Sequence, residues 1–152
     1  MTRKEQAIAY FKNGCNCAQA VLLTFSDLTG FDKKTALRLA APFGGGFGRQ
    51  REVCGAVSGM CLVAGVLYGY DDLQDKDVKA AHYAAIQELC AEFRLRAGGS
   101  IICRELLKQE GADHAPTPSA RTAAYYQKRP CAELVGEAAD ILDGYIKAHP
   151  YI

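Results

Sequence analysis

The chain has 152 residues, of which 49% are hydrophobic and 23% charged, and its formal net charge is +1. This length and composition predict one domain over residues 1–152, with a hydrophobic core of its own. Nucleic acids and anionic membranes need a concentrated basic face, and no basic run occurs, so we predict neither as a partner.

The cysteine content indicates the compartment. The chain has seven cysteines, and its first residues lack the apolar stretch and cleavage site of a secretory signal. The most apolar run, residues 56–70, is interrupted by serine and glycine and is shorter than the roughly 20 residues of a membrane span. We therefore expect a cytoplasmic protein with free thiols, because thiols stay reduced there unless they bind metal or react.

Helical periodicity dominates the first third of the chain. The first predicted helix ends at residues 13–14. Asn16 is the cap of a second helix over 17–28, and Asp32 is the cap of a third, which ends before Pro42.

The middle of the chain contains a glycine-rich loop and the most apolar helix. The loop, residues 42–49, either exposes backbone N–H groups to an anion or lets two helices approach closely. A helix from Cys54 to Tyr68 is apolar on almost all sides, which predicts a central position in the domain. Gly55 and Gly59 lie four residues apart on it, so another helix can approach its backbone there.

A long helix follows and ends near residues 97–99, and a short one covers residues 101–109 after the cap candidate Ser100. We expect residues 111–122, which contain two prolines, to form a flexible loop. Pro130 suits the first turn of the last helix. The predicted fold class is all-α, a single-domain bundle of about six or seven helices around a central apolar helix.

Four cysteines share one local context. Cys17, Cys54, Cys103 and Cys131 all fall in the first turn of a predicted helix, where unsatisfied N–H groups and the helix dipole favour negative charge. This position predicts a lowered thiol pKa and a larger thiolate fraction. Thiolate is the form that binds metal or attacks a disulfide, so these four residues are the candidate site.

The other three cysteines lie outside this local context, and each has its own interpretation. Cys90 lies in mid-helix between apolar neighbours and is interpreted as core packing. Cys61 lies seven residues after Cys54 on nearly the same helix face, and it either packs in the core or joins the site. Cys15 is a candidate second ligand or resolving thiol beside Cys17.

The spacing of the four helix-start cysteines excludes some sites. No two of them form Cys-x-x-Cys, so a zinc finger or a thioredoxin-like motif is disfavoured. Four thiolates gathered from separate helix ends remain compatible with an iron–sulfur cluster.

These residues resemble the C_GCAxxG_C_C family of redox-active proteins, which is named for its own cysteine pattern. The chain departs from that name in one place, since Cys54 precedes Gly55. The matching stretches cover most of the chain in order: Asn16–Val21, Phe43–Gly48, Cys54–Gly59, Leu67–Gly69, Cys103–Leu107 and Cys131–Val135.

The resemblance implies redox activity and a helical fold. The family is also similar to part of the split-Soret cytochrome c proteins, which carry an iron–sulfur cluster beside haem. The present chain has no Cys-x-x-Cys-His motif, so we expect no haem. The resemblance extends to the cluster, with Cys17, Cys54, Cys103 and Cys131 as ligands.

Two interpretations are open for several residues near the cysteines. Arg49, Arg51 and Arg104 either stabilise a thiolate or an anionic cluster, or are ordinary surface arginines. Tyr125 and Tyr126 either pack the last loop or belong to an oligomer surface, so a homodimer is one alternative.

Three functional hypotheses follow. The first is electron transfer or redox sensing through an iron–sulfur cluster, with an unidentified redox protein as partner. The second is metal-free thiol–disulfide chemistry by the same cysteines, in which Cys61 or Cys15 resolves an intermediate. The third is a structural or interaction module whose cysteines are core filler.

Overall fold

The computed structural model describes residues 1–151, and the protein is all-α, as predicted. Within these residues there is no β-strand, only an isolated antiparallel bridge between Val53 and Ile102. Six helices of this described part have eight residues or more, in agreement with the predicted number. The helices are α1 Arg3–Lys12, α2 Cys17–Thr24, α3 Ser26–Thr29, α4 Lys33–Ala40, α5 Gly44–Phe47, α6 Gly55–Tyr68, α7 Lys76–Ala97, α8 Cys103–Leu107, α9 Ala123–Lys128 and α10 Cys131–Ala148.

Two of the three predicted helix caps, Asn16 and Asp32, are present, whereas the cap residue of the short helix is Ile102 rather than Ser100. Asn16 accepts a hydrogen bond from Gln19 N, and the Gln19 side chain accepts one from Asn16 N, which forms a capping box at the start of α2. Asp32 caps α4 through the backbone N–H of Thr35. These local bonds fix the start of α2, and with it the position of Cys17.

Some predicted boundaries were wrong. The second helix does not run to residue 28, because Phe25 leaves helical geometry and separates α2 from α3. The short helix begins at Cys103 rather than residue 101 and continues as a 3-10 turn over Lys108–Ala112. Pro130 lies just before α10 as its cap.

The core forms where α1, α2, α6, α7 and α10 pack together. Helix α6 contacts α2, α7 and α10, so the apolar helix is central, as predicted. The largest fully buried side chains include Phe11, Phe25, Phe93, Leu22 and Met60. No helix within residues 1–151 combines the length and apolarity needed to cross a membrane.

Two glycines let α2 lie against the backbone of α6. A methyl group at Gly55 would lie 2.9 Å from the carbonyl oxygen of Phe43 and 3.0 Å from Cβ of Cys17, and one at Gly59 would lie 2.7 Å from the oxygen of Ala18. These distances are shorter than van der Waals contacts, so only glycine allows the approach. The predicted close packing is confirmed, and it brings Cys17 beside the start of α6.

The glycine-rich segment has an unusual backbone. Gly45 and Gly46 have positive φ, so α5 is a turn rather than a regular helix, and Phe47, Arg49 and Arg51 also have positive φ. Left-handed geometry at non-glycine residues costs on the order of 1–3 kcal/mol each and persists only where the surroundings enforce it.

Backbone bonds then join this segment to the start of α8. Cys103 N donates to Glu52 O at 2.6 Å, and Cys54 N donates to Ile101 O at 2.7 Å. These bonds place Cys54 and Cys103 side by side, although they are far apart in sequence.

Candidate functional site

The four predicted site cysteines stand at helix starts. Cys17, Cys103 and Cys131 are the first residues of α2, α8 and α10, and Cys54 is the cap residue that precedes α6. All four line one cavity of about 290 Å³. The order of Cys54 and Gly55 therefore does not remove Cys54 from the cavity.

Cys17 and Cys131 form a hydrogen-bonded pair. The Cys17 thiol donates to Cys131, and this bond is the main reason why the pKa of Cys131 falls from 9.0 to about 7. The positive charge of Arg129, a hydrogen bond from Tyr125 and the charge of Arg51 lower it further. The same bond, together with burial, raises the pKa of Cys17 well above 9.0. The pair therefore holds a thiolate on Cys131 and a thiol on Cys17.

Cys54 and Cys103 remain thiols at neutral pH. Burial raises the pKa of Cys54 to about 12, although the backbone N–H groups of Ala56 and Val57 act in the opposite direction. Burial also raises the pKa of Cys103, partly offset by Arg51, whose Nη1 lies 3.8 Å from Cys103 Sγ.

The prediction that helix starts lower all four pKa values was therefore wrong for Cys17, Cys54 and Cys103. Desolvation of a charged sulfur outweighs the helix dipole at these positions. Cys131 differs because a donated hydrogen bond and two arginines act on the same sulfur.

Arginines form the cationic part of the cavity wall. Arg49, Arg51, Arg121 and Arg129 all line it, and its lining within residues 1–151 contains no aspartate or glutamate. Arg51 is only 2% exposed. Arg104, the third arginine singled out from the sequence, instead pairs with Glu52 at 3.0 Å in an exposed position.

The segment before α9 covers the cavity. Arg49 donates to Ser119 at 3.2 Å and Arg51 Nε donates to the carbonyl of Asp113 at 2.9 Å. Arg121 donates to the carbonyl oxygens of Phe11 and Cys15. Residues 113–122 contain no helix, as predicted for that part of the loop, and Pro116, Pro118, Ser119 and Arg121 line the cavity.

Sequence reasoning missed three site residues and the helix that carries one of them. Tyr125 lies on α9, an element without a periodic apolar pattern, and its hydroxyl bonds Cys131. Arg121 and Arg129 flank this helix and line the cavity. Arg129 lies two residues before Cys131, and a cation so near a helix-start cysteine was the available signal.

The remaining cysteines lie elsewhere. Cys61 on α6 and Cys90 on α7 are free thiols, and hydrogen bonding between them raises the pKa of Cys61 and lowers that of Cys90 to about 7. Because Cys61 is seven residues beyond Cys54, it stands about 10 Å further along α6. Cys15 is partly buried, and its carbonyl accepts a hydrogen bond from Arg121. None of the three lines the cavity.

The cavity offers four sulfur donors, the ligand type of iron–sulfur clusters. A metal site also requires that the donor atoms lie around one common position. Within residues 1–151, no three histidine, cysteine, aspartate or glutamate side chains are grouped so that they could hold a metal ion. The donor chemistry therefore suits a cluster, but the side-chain arrangement does not.

Comparison with known proteins places the chain in a family. A family model described as "Putative redox-active protein (C_GCAxxG_C_C)" matches residues 15–145. The chain belongs to this family. The match confirms the resemblance seen in the sequence and spans all four cavity cysteines of this C_GCAxxG_C_C protein. Neither curated proteins nor solved structures gave a match.

Proposed function

We propose that this protein is a thiol–disulfide redox protein in which Cys131 and Cys17 are the reacting pair. The observation that carries the proposal is that Cys17 and Cys131 line one cavity with two further cysteines, where the Cys17 thiol lowers the pKa of Cys131. Membership in a family of cysteine-containing redox proteins agrees with it.

The two thiols have complementary states. A pKa of about 7 leaves about half of Cys131 as thiolate at neutral pH, and thiolate is the attacking species in disulfide exchange. A pKa near the ambient pH also preserves nucleophilicity, which falls as the pKa falls. Cys17 stays protonated and lines the same cavity as Cys131, where it can act as the resolving thiol.

The reaction has two exchange steps. Cys131 thiolate attacks one sulfur of a substrate disulfide, forms a mixed disulfide and releases the first substrate thiolate. Cys17 then loses its proton to that thiolate and attacks the Cys131 sulfur, which forms a Cys17–Cys131 disulfide and releases the second thiolate. Two electrons pass from the protein to the substrate, and an external dithiol returns the protein to its reduced state.

Trapping the intermediate tests this assignment. Reduced protein is mixed with one equivalent of a small disulfide, quenched with acid and mapped by non-reducing peptide mass spectrometry. Wild type should contain a Cys17–Cys131 disulfide, and Cys17→Ser should accumulate the mixed disulfide on Cys131.

The controls are Cys131→Ser, which should form neither product, and Cys15→Ser, which should behave as wild type. A disulfide that maps to other cysteines in wild type would contradict the assignment.

An iron–sulfur cluster for electron transfer or redox sensing is the second candidate. It is favoured by the convergence of four thiols from four chain segments on one arginine-lined cavity. Because the side chains are not grouped around a metal position, we derive no step through a cluster. Iron and acid-labile sulfide in equal amounts in protein purified without oxygen, lost in Cys103→Ser, would favour the cluster over the dithiol.

A further inference from the structure

The charge of the cavity is unbalanced. Four arginines line it and no carboxylate does, within the described residues 1–151. Cys131 supplies one partial negative charge at neutral pH, while Cys17, Cys54 and Cys103 have raised pKa values and stay neutral. Asp113, which does not line the cavity, pairs with Arg49 at 3.3 Å, so the cavity is cationic through its other three arginines when the protein is reduced.

Arg51 is a buried cation with an unused donor. Its Nε donates to the carbonyl of Asp113 and its Nη1 to Cys103, but its Nη2 is buried and has no hydrogen-bond partner among residues 1–151. No carboxylate within residues 1–151 forms a salt bridge with it. A buried guanidinium with an unmade bond is costly, and an anion that fills the bond removes the cost.

Arg49 adds a second unused donor. Its Nη2 donates to Asp113 at 3.3 Å and to Ser119, whereas its Nη1 is buried without a partner in the part of the chain that the structure describes. Both arginines have positive φ, so the turn holds them in a strained geometry. Strain of this kind is concentrated at ligand-binding positions.

The starts of α2, α6 and α10 meet at the same cavity and add the positive ends of three helix dipoles. The rest of the wall includes apolar side chains, among them Phe11, Leu106 and Leu134. A ligand that fits has an apolar body and an oxyanion group.

We infer that the substrate of the Cys131–Cys17 pair is an anionic disulfide, whose oxyanion group is bound by Nη2 of Arg51 and Nη1 of Arg49. This inference rests on the proposed function, since it names the substrate class of the same site. Charge-assisted bonds from a guanidinium fork are the strong form of carboxylate recognition. The oxyanion positions the disulfide beside the Cys131 sulfur, where the exchange already described takes place.

Three small disulfides of similar size but different charge distinguish recognition of charge from recognition of shape. Dithiodipropionate carries two carboxylates, bis(hydroxyethyl) disulfide is neutral and cystamine carries two ammonium groups. Each is titrated by calorimetry into Cys131→Ser that also carries Cys90→Ser, because this variant lacks both thiols whose pKa is about 7. Dithiodipropionate should bind at least about tenfold more tightly than the neutral compound, and cystamine should not bind measurably.

Arginine substitutions in the same double cysteine variant identify the residues that bind the oxyanion group. Arg49→Gln and Arg51→Lys should each weaken dithiodipropionate binding about tenfold, because the first removes the positive charge together with the free Nη1 donor, and the second keeps the charge but loses the fork. Arg38→Gln makes the same charge change as Arg49→Gln at an exposed position of α4 and should leave binding unchanged. Circular dichroism checks that each variant is folded.

The outcomes separate the two proposals. Equal binding of the three disulfides, or binding unaffected by Arg49→Gln and Arg51→Lys, overturns the anionic-substrate inference even if wild type exchanges disulfides. Tight charge-selective binding without exchange in wild type overturns the dithiol function and leaves an anion site. Sodium sulfate that binds as tightly as dithiodipropionate shows that the site takes a free oxyanion, which overturns the assignment to a disulfide.

Discussion

Cys17 and Cys131 are the first residues of α2 and α10, and the thiol of Cys17 donates a hydrogen bond to the sulfur of Cys131. Because this bond is the largest favourable influence on the Cys131 thiolate, about half of the pairs hold a single proton between two sulfurs at pH 7. The reactivity of Cys131 therefore depends on α2, a helix that is distant from it in sequence.

The first prediction concerns the pH dependence of Cys131 alkylation. Only the thiolate reacts with iodoacetamide, so the rate should follow a midpoint near pH 7 and fall about tenfold per unit at lower pH. In Cys17→Ala the donor is lost, and the midpoint should move upward by about one unit or more. Stopped alkylation followed by peptide mass spectrometry measures the rate at each site.

Site-resolved measurement matters because Cys90 also has a pKa of about 7. The Cys90 profile should be unaffected by Cys17→Ala, since its donor is Cys61, and Cys15→Ala serves as the matched control for Cys131. An unshifted Cys131 midpoint in Cys17→Ala would contradict the paired arrangement.

The second prediction is a maximum of stability near pH 9 in reduced protein. The pKa of Cys131 is about 7 when folded and 9.0 as an ordinary thiol, so the unfolded chain binds more protons between these values. The free energy of unfolding therefore rises from pH 7 to 9, by on the order of 2 kcal/mol from this residue, and this contribution is lost as the pH falls through 7.

Above pH 9, the free energy of unfolding should fall as the pH rises. The pKa of Cys54 is raised to about 12, so this thiol stays protonated in the folded protein while it ionises in the unfolded chain, and stability falls as the pH rises. Urea unfolding with a reductant present, from pH 6.5 to 10.5, measures the curve. Cys131→Ser should reduce the rise between pH 7 and 9 without abolishing it, because Cys90, whose pKa is also about 7, contributes with the same sign. A curve identical to that of wild type would refute the linkage.

Local sequence signals predicted much of the fold, because they act over a few residues. Asn16 and Asp32 cap the helices assigned to them through bonds to residues three positions ahead. The break at Phe25 and the helix α9 were missed, since neither is marked by a glycine, a proline or an apolar period. Tertiary packing decides such positions.

The site was only partly predictable for a related reason. Helix-start positions drew attention to Cys17, Cys54, Cys103 and Cys131, and the structure places all four at one cavity. The direction of each pKa shift was not predictable, because desolvation depends on what covers the sulfur. Burial raises the pKa of Cys54, whereas Tyr125 and Arg129 reach Cys131 from elements outside the motif.

The third prediction tests the approach of α2 to α6 with two glycines of one helix. At Gly55, the start of α6, an added methyl group would meet the oxygen of Phe43 at 2.9 Å and Cβ of Cys17 at 3.0 Å, whereas at Gly65 it would meet nothing within 4 Å. Gly55→Ala should therefore lower the free energy of unfolding by on the order of 1–3 kcal/mol. Gly65→Ala should raise it by about 0.5–1 kcal/mol, because alanine favours a helix interior.

The same pair of variants connects packing with chemistry. Displacement of Cys17 by the Gly55→Ala methyl group should lengthen its bond to Cys131 and raise the pH midpoint of Cys131 alkylation, an effect that Gly65→Ala should not show. Urea unfolding and the alkylation profile measure the two consequences separately. Equal changes in the free energy of unfolding of both variants would show that the packing of α2 does not need glycine at residue 55. If Gly55→Ala is destabilised but the pH midpoint of Cys131 alkylation does not move, the Cys17–Cys131 bond does not depend on this packing.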